Sequence, residues 1–166
     1  MGPLAQAAAL LEQTGDCDAM AARLELHAAL MIRDGQLQPA IDLLQPVLSL
    51  AETDLLPVVR FNLQTRHAIA LERFGHFDEA LRQHYGAVAT ARRTQDPAIL
   101  SFALGATSGL QNSMLNLHDA LRLSDECWAL CGDAEWLNVI ALAGPNRMMV
   151  LSGLQRHDDA VPWPSD

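Results

Sequence analysis

The sequence predicts an all-α protein, a solenoid of antiparallel helix pairs, on three observations. Alanine recurs at positions 40, 80, 120 and 160, a constant interval of 40 residues. A fixed period in this range marks small units that bury their apolar sides only by stacking. Half of the 166 residues are apolar and only 5% are aromatic, with Ala and Leu dominating. That composition favours helices over sheets. Apolar residues also recur at helical spacing, and Gly or Pro stands where helices would close or open.

Each unit reads as two helices, A and B. In the first unit, 21–60, helix A runs from Ala21 to Asp34 and carries Leu24, Ala28, Met31 and Ile32 on one face. Gly35 closes it in the left-handed conformation. Helix B begins near Gln38, with Pro39 in its first turn, and extends to Ala51. Thr53 or Asp54 caps the next helix. The second unit, 61–100, has its helix A from Pro57 to Phe74, a turn at Gly75 and helix B from Phe77 to Arg93. Asp96 then caps a helix opened by Pro97. The third unit, 101–140, has helix A from Pro97 to Asn116 and helix B from Leu117 to Cys131, closed by Gly132 and Asp133. A fourth helix A, from Ala134 to Leu154, opens the partial unit 141–166, whose helix B starts at His157 and meets Pro162 and Pro164. Pro145 inside that helix A predicts a kink or a split. Residues 1–15 read as an unpaired helix B, so the whole chain is expected to be one helical-repeat domain and a piece of a longer protein.

Charge narrows the partners. The 20 acidic residues outnumber the 11 basic ones, all arginine, for a net charge of −9. Such a surface repels phosphate backbones, so no nucleic acid is expected. No apolar run reaches the roughly 18 residues of a spanning helix, and no basic amphipathic segment is present, so no membrane partner is expected either. Three cysteines, an odd number, read as reduced thiols and a cytoplasmic location.

The helix–turn–helix phrase resembles the tetratricopeptide repeat. That family places a small residue in helix A, Gly at the turn, an aromatic two residues on and Ala three further. Ala68, Leu71, Gly75, Phe77, Ala80 and Ala87 carry the likeness in the second unit, and Leu24, Ala28, Gly35, Leu37, Ala40 and Val47 in the first. The third keeps Leu104, Ser108, Leu117 and Ala120 but has Leu115 at the turn; the fourth keeps Leu151 and Ala160. The unit of 40 residues departs from the family's usual length of about 34. The proline closing helix B is replaced by Glu52, Arg92 and Gly132. Longer units of this sort are similar to those of bacterial regulators such as maltose-regulator-type activators, peptide-sensing quorum regulators and segments of diguanylate cyclases. The resemblance implies a right-handed superhelix whose A helices line a concave peptide groove. By that analogy Glu25, Arg33, Asn62, Thr65, Arg73, Gly109 and Asn112 face the groove, with Ala29, Ile69 and Gly105 among them. Asn and Arg there would bond a peptide backbone or carboxylate. Ala28, Ala40, Ala68, Ala80 and Ala120 are expected to pack helix A on helix B.

Other constellations carry bland readings beside the sharp ones. His27 and His67 occupy equivalent positions and either share a metal or form a polar seam; the later equivalents, Thr107 and Arg147, favour the seam. Cys127 and Cys131 lack the second ligand pair that zinc needs, and read as small buried hydrophobes. Gly105 and Gly109 allow either close helix approach or room for a ligand. Trp128 and Trp136 are expected between repeats, and Trp163 at the open end or against something downstream. Asp78, Glu79, Asp158 and Asp159 sit at helix starts, where the dipole favours them. No phosphate loop or nucleophile elbow is present, so no enzyme, catalytic residue, metal or cofactor is expected. The sequence thus predicts a non-enzymatic scaffold for a protein, a peptide or an adjacent domain in a bacterial signalling protein. The alternative is a structural module that forms homodimers through its open repeat ends.

Overall fold

The computed structural model describes residues 17–50, 54–131, 137–156 and 159, and gives the backbone alone for 131 and 137–144. The described residues form helices α1 (Cys17–Arg33), α2 (Leu37–Leu48), α3 (Pro57–Phe74), α4 (Phe77–Thr94), α5 (Pro97–Ser113), α6 (Leu117–Cys131) and α7 (Leu137–Gly153). No strand occurs among the described residues. The chain divides between Thr94 and Gln95 into two compact units. In the first, α1 to α4 pack consecutively and α1 also packs on α3; in the second, α5 packs on α6, α6 on α7, and α5 on α7.

Four turns repeat at the sequence period. Gly35, Gly75, Leu115 and Gln155 all have positive φ, at 78°, 95°, 63° and 57°. Each makes the same pair of bonds. The Gly35 N–H donates to the Ile32 carbonyl at 3.2 Å and the Gln36 N–H to Met31 at 2.8 Å. The corresponding pairs are Gly75 to Glu72 with His76 to Leu71, Leu115 to Asn112 with Asn116 to Gln111, and Gln155 to Ser152 with Arg156 to Leu151. These are Schellman closures, which satisfy the last carbonyls of helix A. The carbonyls of Gln36, His76 and Asn116 then accept from the N–H groups of Ala40, Ala80 and Ala120, so the residue ending one helix starts the next.

Leu115 and Gln155 hold this conformation against their own side chains, a strain of about 1 kcal/mol each. The Leu115 side chain is 79% exposed and gains little burial in return. Leu115→Gly is therefore expected to stabilise the second unit by about 0.5–1 kcal/mol. A rise in denaturant midpoint would show it, and an unchanged or lower midpoint would contradict the strained turn.

Helix ends depart from the sequence reading where local chemistry intervenes. Helix α2 stops at Leu48 rather than Ala51, two residues after Pro46, which removes one backbone donor inside the helix. Helix α5 stops at Ser113 rather than Asn116, because Leu115 turns left-handed. The cap of α3 is Leu56, without a side-chain bond; neither Thr53, which lies outside the described residues, nor Asp54 takes that place. The Leu56 N–H instead donates to Asp18 Oδ1 at 2.8 Å. Asp96 caps α5 as expected, accepting from Ala98 N–H at 2.8 Å and Ile99 N–H at 3.4 Å. Helix α7 continues through Pro145; the expected split is not there, since only one backbone donor is lost at that point. The readings for 1–15, Gly132, Asp133, Trp136, His157, Asp158 and Ala160 to Trp163 and Pro164 lie outside the described residues.

The interior is built on small residues. Ala28, Ala40, Ala68, Ala80 and Ala120 are all fully buried. In the third pair Ser108 stands where Ala28 and Ala68 stand in the first two, and its Oγ donates to the Ala120 carbonyl at 2.8 Å. That bond fixes the contact point: the small residue of helix A lies on the first turn of helix B. Ser124 lies 2.7 Å from the same hydroxyl, so the exchange of Ala for Ser is matched across the interface and both polar groups are satisfied.

Candidate functional site

Within the first unit the A helices run parallel. Arg66 Nε bonds Glu25 Oε1 at 2.6 Å, and Arg73 Nη1 donates to the Ile32 carbonyl at 3.2 Å, each across 41 residues. Partners that advance together along both helices require parallel neighbours. In the second unit Asn146 Nδ2 donates to the Gly105 carbonyl at 3.0 Å, again across 41 residues. The same offset thus governs α3 on α1 and α7 on α5.

The expected groove residues meet different fates. Arg33, Asn62 and Arg73 are exposed. Arg33 also pairs with Asp34 at 2.9 Å. Glu25 is half-buried and held by Arg66, so its carboxylate is committed to the helix–helix contact. Thr65 is a correction: it is only 8% exposed, on the covered side of α3, and cannot line an open groove. Gly105 is likewise buried. Gly109 is half-buried, and a Cβ there would meet nothing within 4 Å. Room, not close helix approach, is the property of that position. Asn112 is half-buried on α5. Ala29 and Ile69 are half-buried. Of the expected set, Arg33, Asn62 and Arg73 are thus the exposed members in the first unit, with Arg73 Nη1 already held by the Ile32 carbonyl. Such a surface can offer guanidinium and amide donors to carboxylates and peptide carbonyls.

The histidines separate. His27 is exposed, whereas His67 is only 3% exposed. Neither ring nitrogen of His67 makes a geometrically sound hydrogen bond. Burial lowers its pKa from the ordinary 6.5, against the smaller opposing pull of the Glu79 charge and the Gln83 side chain. The folded chain thus resists a proton that the unfolded chain accepts near its ordinary value of about 6.5. Stability is unaffected well above that pH and falls as pH drops below it, until the folded value is passed. His67→Gln should remove this component. Thermal unfolding compared between pH 8 and 5 should show the two proteins diverging only on the acid side; parallel curves would contradict the reading.

Among the described residues, no group of three His, Cys, Asp or Glu side chains gathers as a metal site. Cys127 is fully buried, and its thiol donates to the Ser101 carbonyl at 3.3 Å. The Cys131 side chain lies outside the described residues. Trp128 is half-buried on α6. No described helix is long and apolar enough to cross a membrane.

Two buried polar residues escape the motif reading. Arg60, 5% exposed, sends Nη2 to the Leu50 carbonyl at 2.8 Å and Nη1 to Leu48 at 3.4 Å. It closes the end of α2 that Pro46 cuts short, with a cation at the negative end of the helix. Its equivalents one period away are Met20 and Leu100, so an arginine among apolar positions was the available signal. His84, 2% exposed, places Nε2 3.7 Å from Glu72 Oε2; Leu44 and Ser124 hold its place in the neighbouring pairs. No protein-family model matches the chain, and no curated protein matches its sequence.

Proposed function

We propose that the chain is a non-enzymatic scaffold that binds a protein, a peptide or an adjacent domain, and that its units are tetratricopeptide-like. The observation that supports this most is the left-handed closure repeated at 35, 75, 115 and 155 with the same two bonds. A turn kept where glycine is lost indicates an architecture maintained as an array, and arrays serve by presenting surface. The surface on offer is the A-helix side of the first unit, with Arg33, Asn62 and Arg73 exposed. An extended segment with an acidic end suits it: Asn62 meets a backbone amide and the guanidinium groups meet carboxylates. The parent would be a bacterial signalling protein such as a diguanylate cyclase or transcription regulator, working in the cytoplasm without cofactor, nucleic acid or membrane.

The test is a library of fluorescent peptides titrated onto the chain. Peptides with an acidic end should bind, and the triple variant R33A/N62A/R73A should weaken them at least about tenfold, the scale of one lost charged contact. Its helical content should stay unchanged. Equal binding by wild type and variant would remove this surface as the site.

A further inference from the structure

Stacking of A helices uses two faces. The forward face of one helix covers the backward face of the next, as α1 covers α3 through Glu25 and Arg66 and α5 covers α7 through Gly105 and Asn146. Equivalent positions one period apart can therefore be compared. On the backward face, Ala70 and Val150 are fully buried, yet their equivalent on α1, Leu30, is 43% exposed. Leu26, one turn away, is 62% exposed, whereas its equivalents Arg66 and Asn146 are half-buried. On the forward face, Ala29 and Gly109 are half-buried, yet their equivalent on α7, Met149, is 61% exposed. Pro145 and Ser152 on the same side are exposed as well. Among the described residues, α1 of the first unit thus has an uncovered backward face and α7 of the second unit an uncovered forward face.

We propose that these two faces are each other's partners in two copies of the chain, α7 of one copy stacking on α1 of the next. The occupant is a second copy because the interface continues one already made twice within the chain, with its register fixed. Asn146 reaches Gly105 and Arg66 reaches Glu25. The same offset sets Leu26 against Pro145 and Leu30 beside Met149. Arg73 donates to the Ile32 carbonyl; its equivalent Arg33, whose side chain is 71% exposed, would donate to the Ser152 carbonyl of the neighbouring copy. The contact joins unlike faces, so it is heterologous and each added copy offers a fresh face.

Sedimentation velocity across a concentration series, joined to cysteine trapping in a C17S/C131S background, tests this. An L30C chain mixed with an M149C chain should give a disulfide-linked dimer far faster than either chain alone. The L26E/L30E variant should weaken association at least tenfold, while L115E, on another exposed leucine, leaves it unchanged. A chain that stays monomeric at the highest concentration reached would overturn the proposal. So would L30C bonding chiefly to itself, or association that survives L26E/L30E.

Discussion

Ala80→Leu lowers the melting temperature by several degrees. Ala80 is fully buried on the first turn of α4, as Ala40 and Ala120 are on α2 and α6. The Ser108–Ala120 bond shows that this turn lies directly against the small residue of helix A, which in the second pair is the fully buried Ala68. Three added heavy atoms have no space there, and overpacking of this kind costs about 1–3 kcal/mol. Such a loss is worth several degrees in a domain of this size. Ala80→Gly would also destabilise, by about 1 kcal/mol, through lost helix propensity. The leucine variant should exceed it. An unchanged melting temperature for Ala80→Leu would mean that the packing face is wrong.

Arg60→Ala should destabilise the first unit by about 2–3 kcal/mol, from charged hydrogen bonds lost and carbonyls left without them. The guanidinium reaches two carbonyls at the end of α2 from a position only 5% exposed. Arg60→Lys should recover less than half of the loss, because an ammonium lacks the planar fork that serves two acceptors. Chemical denaturation of the three proteins measures this. Full recovery by lysine would contradict the two-carbonyl arrangement, and an alanine variant as stable as wild type would contradict the closing role altogether.

The helices were legible where sequence chemistry and geometry agree. Pro57 opens and Gly75 closes α3, and the expected and observed spans coincide. The span of α6 coincides as well. Errors arose where a residue adopts a conformation it does not favour. Leu115 and Gln155 take left-handed φ without being glycine, so the third turn reads as a departure and the fourth as almost lost, although both make the same bonds as Gly35 and Gly75. Tertiary position overrides local preference there. Ala40, Ala80 and Ala120 followed from the period, whereas Ala28 and Ala68 came from the resemblance, and Ser108 takes their place at the third crossing. The surface was less legible. A repeat position does not say which neighbour covers it, and Thr65 and Glu25 were assigned to a groove that the covered side of α3 and the Arg66 pair exclude. Arg60 and His84 occupy core positions filled by Met20 and Leu44 elsewhere. A period search for apolar residues passes over them, because neither is apolar; Arg60 reaches the Leu48 and Leu50 carbonyls, and His84 Nε2 lies 3.7 Å from Glu72 Oε2.

The central claim is that the left-handed closure of helix A recurs every 40 residues regardless of how well its sequence signature survives. Backbone NMR of the labelled chain tests it most directly, through carbon shifts and three-bond couplings that report φ at residues 35, 75, 115 and 155. Positive φ at all four, Leu115 and Gln155 included, is the expected result. Right-handed helical φ at 115 and 155, with α5 or α7 running on through those residues, would contradict it.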